Sequence, residues 1–172
     1  DEEQLLYAIR ECWASLWSPR AIQYRAERCS VQELPLIAVL VQCMVNAEFA
    51  GVAFSVDAVT GEEHIIIEAA WGLGETVVAG REDVDRYVVS RKTCTEIAPP
   101  FIAKKLRKRI MTVQGGLQIA EVPVEARDVR VLTPEQVRQV AEVVLALEQH
   151  FGCPQDMEWA FAEGQIFILQ TR

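Results

Sequence analysis

Apolar residues recur at intervals of three and four positions near the start of the chain. This spacing, between Glu2 and Trp17, predicts an amphipathic helix. Ser18 can then cap a following helix through its hydroxyl, and Pro19 suits the first helical position. We therefore expect a second helix that ends near Cys29.

The strongest helical signal lies near the other end of the chain. Thr133 and Gln136 have the spacing of a capping box, and Pro134 occupies the first helical position. Apolar residues between 137 and 151 fall on one face of the predicted helix. Gly152 then favours termination, because glycine readily adopts the left-handed conformation at a helix C-terminus.

Between these helices the chain carries short apolar runs bounded by turn residues, which are typical of buried strands. The predicted strands cover residues 36–45, 51–56, 64–71, 85–90 and 121–124, and a final hairpin follows Pro154.

The pattern of the final hairpin bears most directly on function. Asp156 and Glu158 are two positions apart in an apolar strand, so both carboxylates point to the same face. The intervening and following apolar side chains point the other way, toward a core: Met157, Trp159 and Phe161.

The connection of this hairpin predicts its register. Ala162–Gly164 reads as a three-residue loop, in which the last residue is a left-handed glycine. Counting outward from this loop places Glu158 opposite Ile168 and Asp156 opposite Gln170. Gln170 therefore joins the face that carries the two carboxylates.

These groups suit a site for magnesium and phosphate. Arg172 follows Gln170 by two positions and shares its face. Carboxylate and amide oxygens are the hard ligands that Mg²⁺ prefers, and a guanidinium binds phosphate oxygens. The alternative is a solvated hairpin face with ordinary charges, which surface strands often show.

Composition narrows the class of protein. With 172 residues, 51% of them hydrophobic, the chain suffices for one domain or two small lobes. A net charge of −8 argues against a nucleic-acid partner, and no apolar run reaches the length of a membrane span. The five cysteines include no CxxC pair, which favours free thiols in a reducing compartment and hence the cytoplasm. The chain begins with Asp1 in a helical pattern, and we interpret it as a piece of a longer chain.

Three further features have competing interpretations. Residues 71–75, WGLGE, could lie near a phosphate, or could form a glycine turn packed under Trp71. The basic run 104–109 could bind nucleic acid, but a solvated helix face is favoured in an acidic chain. The aromatic set Trp13, Trp17 and Tyr24 is expected in the core or a lobe interface rather than in a stacking platform.

Four segments cover most of the chain and carry a specific combination of motifs. Glycine and acidic positions in the third segment and the terminal D-x-E…Q-x-R are its strongest elements. The segments are CWASLWSPRAIQYR (12–25), VLVQCMVNAEFAGVAFSVDAVTG (39–61), AAWGLGETVVAG (69–80) and HFGCPQDMEWAFAEGQIFILQTR (150–172). In this order they resemble the nucleotide-binding ATP-grasp domain of the phosphoenolpyruvate synthase, pyruvate phosphate dikinase and rifampicin phosphotransferase group.

The resemblance implies an ATP site between two lobes, with ATP and Mg²⁺ as cofactors. Glu158 and Gln170 would be Mg²⁺ ligands that bridge the ATP phosphates, and Asp156 would support them. Arg172 would hold the terminal phosphates, so Asp156 and Arg172 are the candidate catalytic residues.

The same resemblance implies where the nucleoside lies. The backbone of the hinge segment, residues 42–45, would pair with adenine. Its candidate cofactor-binding residues are Gln42, Met44 and Val45. Glu75 would lie near the ribose.

The resemblance also implies parts that this sequence lacks. Residues 1–172 would be the C-terminal part of the ATP-grasp domain, with a helical lead-in at 1–30 and a main lobe at 31–172. The implied fold is α+β, with an antiparallel or mixed sheet and flanking helices. Its partners would be an N-terminal lobe that supplies a lysine and an arginine, a phosphohistidine domain and a substrate domain. The isolated chain is expected to be inactive.

The implied activity is that of an ATP-dependent phosphotransferase of the kinase or dikinase type. Phosphate would pass from ATP to a histidine on another domain and then to pyruvate. An alternative is phosphorylation of rifampicin. An alternative of another class is a non-catalytic nucleotide-binding or interaction module.

Overall fold

The computed structural model describes residues 2–28, 35–57, 61–74, 77, 84–112 and 116–172. The chain divides into two compact units, residues 1–44 and residues 45–172. The first unit holds two helices, and the second holds two antiparallel sheets and a long helix. Among the described residues, no helix combines the length and the apolar character needed to cross a membrane.

The first unit contains the two predicted helices. α1 spans Glu2–Ala14 and continues into a short 3-10 turn, Ser15–Trp17, and α2 spans Pro19–Arg28. The Ser18 hydroxyl accepts the backbone N–H of Ala21 at 3.3 Å, as an N-cap does. The prediction of both helices is confirmed, apart from the tighter turn that ends the first one.

Three aromatic side chains of these helices are exposed. The exposed fractions are 53% for Trp13, 62% for Trp17 and 57% for Tyr24, and no residue of α1 is buried. The prediction that they form a core is therefore wrong for this chain. An amphipathic pattern shows which face of a helix is apolar, but another layer of secondary structure must pack against that face to bury it. The alternative, an interface with another lobe, stays a prediction.

The apolar run 36–45 does not form the predicted strand. Residues 35–47 lie outside helices and strands, and Leu36 and Leu40 are 92% and 84% exposed. A strand needs a neighbouring edge for its backbone hydrogen bonds, and none of the described strands pairs with this run. Apolar composition indicated a need for burial but not the position of a pairing partner.

A five-stranded antiparallel sheet forms the centre of the second unit. Its strands are β1 (Phe49–Phe54), β2 (His64–Trp71), β3 (Asp85–Ser90), β6 (Asp156–Ala162) and β7 (Gln165–Thr171). Their order is β3-β2-β1-β6-β7, and β4 (Arg107–Met111) and β5 (Leu117–Glu121) form a separate pair. The α+β prediction is confirmed, as are strands 64–71 and 85–90, whereas β1 begins two residues before its predicted start at Gly51.

The long helix α3 spans Pro134–Phe151, as its boundary signals predict. The Thr133 hydroxyl accepts the Gln136 N–H at 3.3 Å, and the Gln136 side chain accepts the Thr133 N–H at 2.9 Å. Gly152 ends the helix with a φ of 71°, in the left-handed region that glycine tolerates. Local chemistry alone therefore determines both ends of this helix.

One face of the five-stranded sheet packs against α3 and forms the main core. The helix contributes a buried stripe at helical spacing, and the sheet contributes every second residue of its strands. The buried helix residues are Val137, Val140, Ala141 and Val144, and the hairpin adds Met157, Trp159 and Phe161. The predicted core orientation of these three hairpin side chains is confirmed.

The turn of the terminal hairpin differs from the prediction. It has two residues, Glu163 and Gly164, with φ values of 53° and 73°. Two consecutive left-handed residues are the geometry of a type I′ turn, which matches the twist of paired strands. Ala162 therefore pairs with Gln165, and the three-residue loop was wrong.

The basic run 104–109 is not a solvated helix face. Arg107 begins β4, and the Lys105 side chain is 1% exposed. The Lys105 ammonium donates to the Asp85 carboxylate at 2.5 Å and to the Ala103 carbonyl at 2.8 Å. The prediction failed because a buried acid far along the sequence compensates this charge, and the local pattern does not show that acid.

The short strand predicted at 121–124 lies earlier in the chain. β5 ends at Glu121, and residues Val124–Ala126 form a 3-10 turn. Pro123 has no N–H to donate to a strand neighbour, which accounts for the end of pairing before it.

Candidate functional site

The face of the five-stranded sheet opposite to α3 carries a polar row. Val52 of β1 pairs with Glu68 of β2 and with Glu158 of β6. Glu68 in turn pairs with Arg86 of β3, and Glu158 pairs with Gln170 of β7. Directly paired residues project to the same side of a sheet, so these five residues line up across it.

Asp156 and Arg172 lie next to this row. The Asp156 N–H donates to the Arg172 carbonyl at 2.8 Å, and the Arg172 N–H donates back to the Asp156 carbonyl at 2.9 Å. The structure therefore brings the four hairpin residues Asp156, Glu158, Gln170 and Arg172 to one face. The predicted partners were wrong, because Asp156 opposes Arg172, and Glu158 opposes Gln170 rather than Ile168.

A β-bulge explains how the four side chains still share a face. From the turn outward, Trp159 pairs with Ile168, and the register then shifts before Glu158. Without that shift Glu158 would oppose Leu169, and Gln170 would point to the core side. A slip of one residue moves every side chain to the other face, so the extra residue in β7 creates the grouping.

Arg172 contacts both candidate metal ligands in this structure. Its Nη2 lies 3.4 Å from Oε1 of Glu158. With the Gln170 amide oxygen turned toward it, that oxygen accepts from Arg172 Nε at 2.6 Å and from Nη2 at 2.9 Å. The Glu158 side chain is 24% exposed and that of Arg172 is 67% exposed. The acid is thus fixed in the sheet, whereas the guanidinium extends into solvent.

The donor atoms on this face fit a magnesium ion. Glu158 and Asp156 offer carboxylate oxygens and Gln170 offers an amide oxygen, which are hard ligands. Among the described residues, no group of three or more His, Cys, Asp or Glu side chains could hold a metal ion by itself. Mg²⁺ usually takes one or two carboxylates together with substrate phosphates and water, and two carboxylates plus an amide meet that need.

The hinge segment lies outside the helices and strands. Gln42 and Met44 are exposed, with Met44 at 59%, and both belong to the first unit. Val45 belongs to the second unit and packs against the cluster of Ala47, Ala50, Leu73 and Ala160. The Val45 carbonyl accepts the Ala47 N–H at 2.9 Å, and the proposed adenine contacts of this segment stay a prediction.

The glycine loop after β2 has a packing role. Gly72 has a φ of +77°, and a Cβ at this position would lie 2.2 Å from the Arg109 carbonyl oxygen. The Leu73 N–H donates to that same carbonyl at 2.9 Å. Gly72 therefore allows β4 to approach the end of β2, so packing explains this glycine without a ligand. Glu75, the predicted ribose contact, lies outside the described residues.

Sequence reasoning missed the continuation of the polar row toward β3. Glu68 is a half-buried acid within an apolar strand, and Arg86 pairs with it across the strands. Arg86 also lies 3.7 Å from the carboxylate of Asp57, which is 8% exposed. The alternation of β2 contained the signal for Glu68, since an acid that interrupts a buried strand has the same pattern as Glu158.

Buried polar groups of β3 support the sheet near this row. Asp85 accepts from the Lys105 ammonium and from the Val131 N–H at 2.7 Å. The Tyr87 hydroxyl donates to Asp85 at 3.2 Å and accepts the Leu132 N–H at 3.1 Å. Burial raises the pKa of Tyr87 well above its usual range, and the contact with Leu132 opposes this only in part. These contacts tie β3 to the segments before β4 and before α3.

Comparison with known proteins identifies the family. The chain matches the pyruvate phosphate dikinase AMP/ATP-binding domain over residues 1–172, and it belongs to this family. The predicted resemblance to the group of phosphoenolpyruvate synthases and pyruvate phosphate dikinases is thereby confirmed.

Individual relatives extend this finding. The chain is 42% identical over 171 residues to a probable phosphoenolpyruvate synthase of Methanothermobacter thermautotrophicus. It is 37% identical over 171 residues to one of Methanocaldococcus jannaschii, and 34% identical over 172 residues to rifampicin phosphotransferase of Bacillus cereus. Each comparison covers 99% of this chain but only 25%, 14% and 20% of the respective relatives. The chain thus spans a quarter or less of the length of these proteins.

Proposed function

We propose that this chain is the C-terminal part of an ATP-grasp domain and holds ATP with Mg²⁺ on the polar face of its five-stranded sheet. One observation carries the proposal. Asp156, Glu158, Gln170 and Arg172 share one face of a hairpin, in a chain that matches an ATP-binding family over its full length. A carboxylate–amide–guanidinium set on a sheet is more specific than the scattered charges of a solvated strand.

Each side chain of this group has a role that follows from its chemistry. Glu158 and Gln170 would hold the metal through oxygen, and Asp156 would support them from the adjacent row. Arg172 would bind the terminal phosphates, because its planar fork matches phosphate oxygens. Bound Mg²⁺ would neutralise phosphate charge and align the phosphate for transfer. Glu158 is largely withdrawn from solvent, which strengthens its interaction with a cation.

The nucleoside would be held by other segments of the chain. The backbone of Gln42, Met44 and Val45 would pair with the adenine edge, and Glu75 would contact the ribose. The small apolar cluster that includes Val45 and Leu73 gives a surface against which an aromatic base can pack. The helical lead-in at 1–30 and the main lobe at 31–172 belong to the same proposal.

The intact protein would be a cytoplasmic ATP-dependent phosphotransferase. It would transfer phosphate to a histidine of another domain and then to pyruvate, with the N-terminal lobe and the substrate domain also outside this chain. Identity to the two probable phosphoenolpyruvate synthases, 42% and 37%, exceeds the 34% to rifampicin phosphotransferase, which favours pyruvate over rifampicin. A non-catalytic nucleotide-binding module would keep ATP binding without transfer.

Binding and turnover in the intact protein test this proposal. Removal of one metal ligand by Glu158→Gln or Gln170→Ala should lower turnover by roughly 10² to 10³, the usual effect of losing one preorganised electrostatic contact. Calorimetric titration should show that ATP binding depends on Mg²⁺ in the wild type and loses that dependence in Glu158→Gln.

Glu135→Gln is the matched control, because Glu135 pairs only with its exposed helical neighbour Arg138 among the described contacts. It should leave both turnover and the Mg²⁺ dependence of ATP binding unchanged. Near-normal turnover in both hairpin variants would refute the assignment of this site. Labelling with radioactive ATP separates the two classes: an enzyme forms acid-labile phosphohistidine, and a binding module does not.

A further inference from the structure

Arg172 contacts one oxygen of each of the two residues that the proposed function assigns to the metal. Its Nη2 lies 3.4 Å from Glu158 Oε1, and its Nε and Nη2 lie 2.6 and 2.9 Å from the turned amide oxygen of Gln170. Three donor–acceptor contacts thus join a single cation to both ligands. Oε1 of Glu158 and the turned amide oxygen of Gln170 therefore already have a positively charged partner.

A guanidinium and a divalent ion compete for these atoms. The lone pairs of Glu158 and Gln170 that face Arg172 cannot serve the metal at the same time. Guanidinium groups carry donors only, so Arg172 cannot itself become a ligand of the metal. A metal ion that enters alone and takes these oxygens must displace Arg172, and one that takes only the other Glu158 oxygen lies beside the guanidinium charge.

Nucleotide phosphates change this balance. A metal that arrives with phosphates brings negatively charged oxygens, which offer Arg172 new bidentate partners as it leaves the ligands. The exchange is inexpensive, because a contact that is 67% exposed on the arginine side contributes little by itself. The backbone hydrogen bonds between Arg172 and Asp156 keep the side chain within reach of both positions.

We propose that Arg172 guards the metal ligands Glu158 and Gln170 against free divalent ions and releases them to the metal–nucleotide complex. The site then selects metal bound to ATP over metal alone, and Arg172 determines this specificity in addition to binding phosphate. This inference rests on the proposed function, because it takes Glu158 and Gln170 as the metal ligands.

Binding of Mn²⁺ to the intact protein, followed by electron paramagnetic resonance, tests the inference directly. Arg172→Met should bind free Mn²⁺ about threefold more tightly than the wild type, the effect expected from loss of an exposed charge contact. The same variant should bind Mn²⁺–ATP more weakly, because the phosphates lose their arginine. Opposite shifts for the two ligands are the signature of a guard, and a purely structural arginine would not produce them.

Two further variants separate contact from charge. Arg172→Lys keeps the charge but loses the fork that reaches both ligands, so it should gain part of the affinity for free Mn²⁺. Arg138→Met removes an exposed arginine of α3 and should leave the affinities for free Mn²⁺ and for Mn²⁺–ATP unchanged. If free Mn²⁺ binds no more tightly to Arg172→Met, or if Arg172→Lys behaves as the wild type, the inference is overturned.

Glu158→Gln distinguishes failure of this inference from failure of the proposed function. If it abolishes Mn²⁺–ATP binding while Arg172→Met leaves free Mn²⁺ unchanged, the metal site stands and the guard does not. If Glu158→Gln changes the affinity for neither free Mn²⁺ nor Mn²⁺–ATP, the ion binds elsewhere, and both the proposed function and the guard fail.

Discussion

The buried pair of Asp85 and Lys105 allows a sharp test of how charge is accommodated in this fold. Asp85 is 0% exposed and Lys105 is 1% exposed. The carboxylate accepts four hydrogen bonds: from Lys105 at 2.5 Å, the Val131 N–H at 2.7 Å, the Ala103 N–H at 3.0 Å and the Tyr87 hydroxyl at 3.2 Å. The ammonium has two acceptors, Asp85 and the Ala103 carbonyl. The two partners therefore depend on each other unequally.

Asp85→Asn should be the more damaging change. It leaves the Lys105 charge buried without a counter-charge, and whichever way the amide turns, its N–H₂ group faces groups that already donate. Breaking a buried ion pair on one side typically costs about 3–5 kcal/mol, so we expect a loss of this size in the free energy of unfolding. For a domain of this length that corresponds to a melting temperature lower by about 10 °C.

Lys105→Met should be milder. The carboxylate keeps the Val131, Ala103 and Tyr87 donors, and methionine fills much of the space left by the lysine stem. We expect a loss of about 1–3 kcal/mol, below the range for a broken buried ion pair, because three donors still stabilise the carboxylate.

Urea denaturation measures both losses when it is followed by circular dichroism and tryptophan fluorescence. Arg138→Met is the control, because it makes the same cation-to-methionine change on an exposed helix face. It should leave the urea midpoint unchanged. If Lys105→Met cost as much as Asp85→Asn, or if Asp85→Asn cost under about 1 kcal/mol, the unequal dependence inferred from these contacts would be refuted.

Three further predictions follow from backbone geometry and burial. Gly51→Ala should cost about 3 kcal/mol or prevent folding, since its Cβ would lie 1.9 Å from the Glu68 carbonyl oxygen and 2.6 Å from the Trp159 ring. Urea denaturation should show a far smaller loss for Gly74→Ala, whose Cβ has a contact of 3.4 Å. Glu163→Asn should stabilise the hairpin by about 0.5 kcal/mol in the same assay, because asparagine tolerates the left-handed φ of 53° better than glutamate does; a loss of stability would contradict the type I′ assignment. Burial raises the pKa of Tyr87 above the ordinary value of 10.0, so the folded state retains this proton more strongly than the unfolded state. The stabilisation is complete below pH 10 and declines as pH rises further, and ultraviolet titration should show one tyrosine that ionises only on unfolding.

Local chemistry determined those elements whose signals lie within a few residues of each other. The ends of α3 follow from the capping box at Thr133 and from Gly152. The alternation of β6 placed Asp156 and Glu158 on one face and Trp159 on the other, and burial confirms the core side. The period of a strand depends only on its own backbone, so these assignments needed no knowledge of the partner strand.

Pairing in the hairpin needed the tertiary structure. The two-residue turn and the bulge before Glu158 each shift the register, and their combination restores the shared face of Gln170 and Arg172. The predicted grouping therefore survived a wrong register, because the turn and the bulge together change the register by an even number of residues. A sequence gives the alternation of each strand, but the bulge depends on how two strands settle against each other.

Only the tertiary structure decided which groups lost contact with water. A basic run favoured a solvated face, yet Lys105 is buried because Asp85, twenty positions earlier, meets it across the fold. An apolar run favoured a buried strand, yet Leu36, Leu40 and Val41 are exposed, and none of the described strands pairs with this run. Periodicity is a property of neighbouring residues, whereas burial and charge compensation depend on distant segments that only the folded chain brings together.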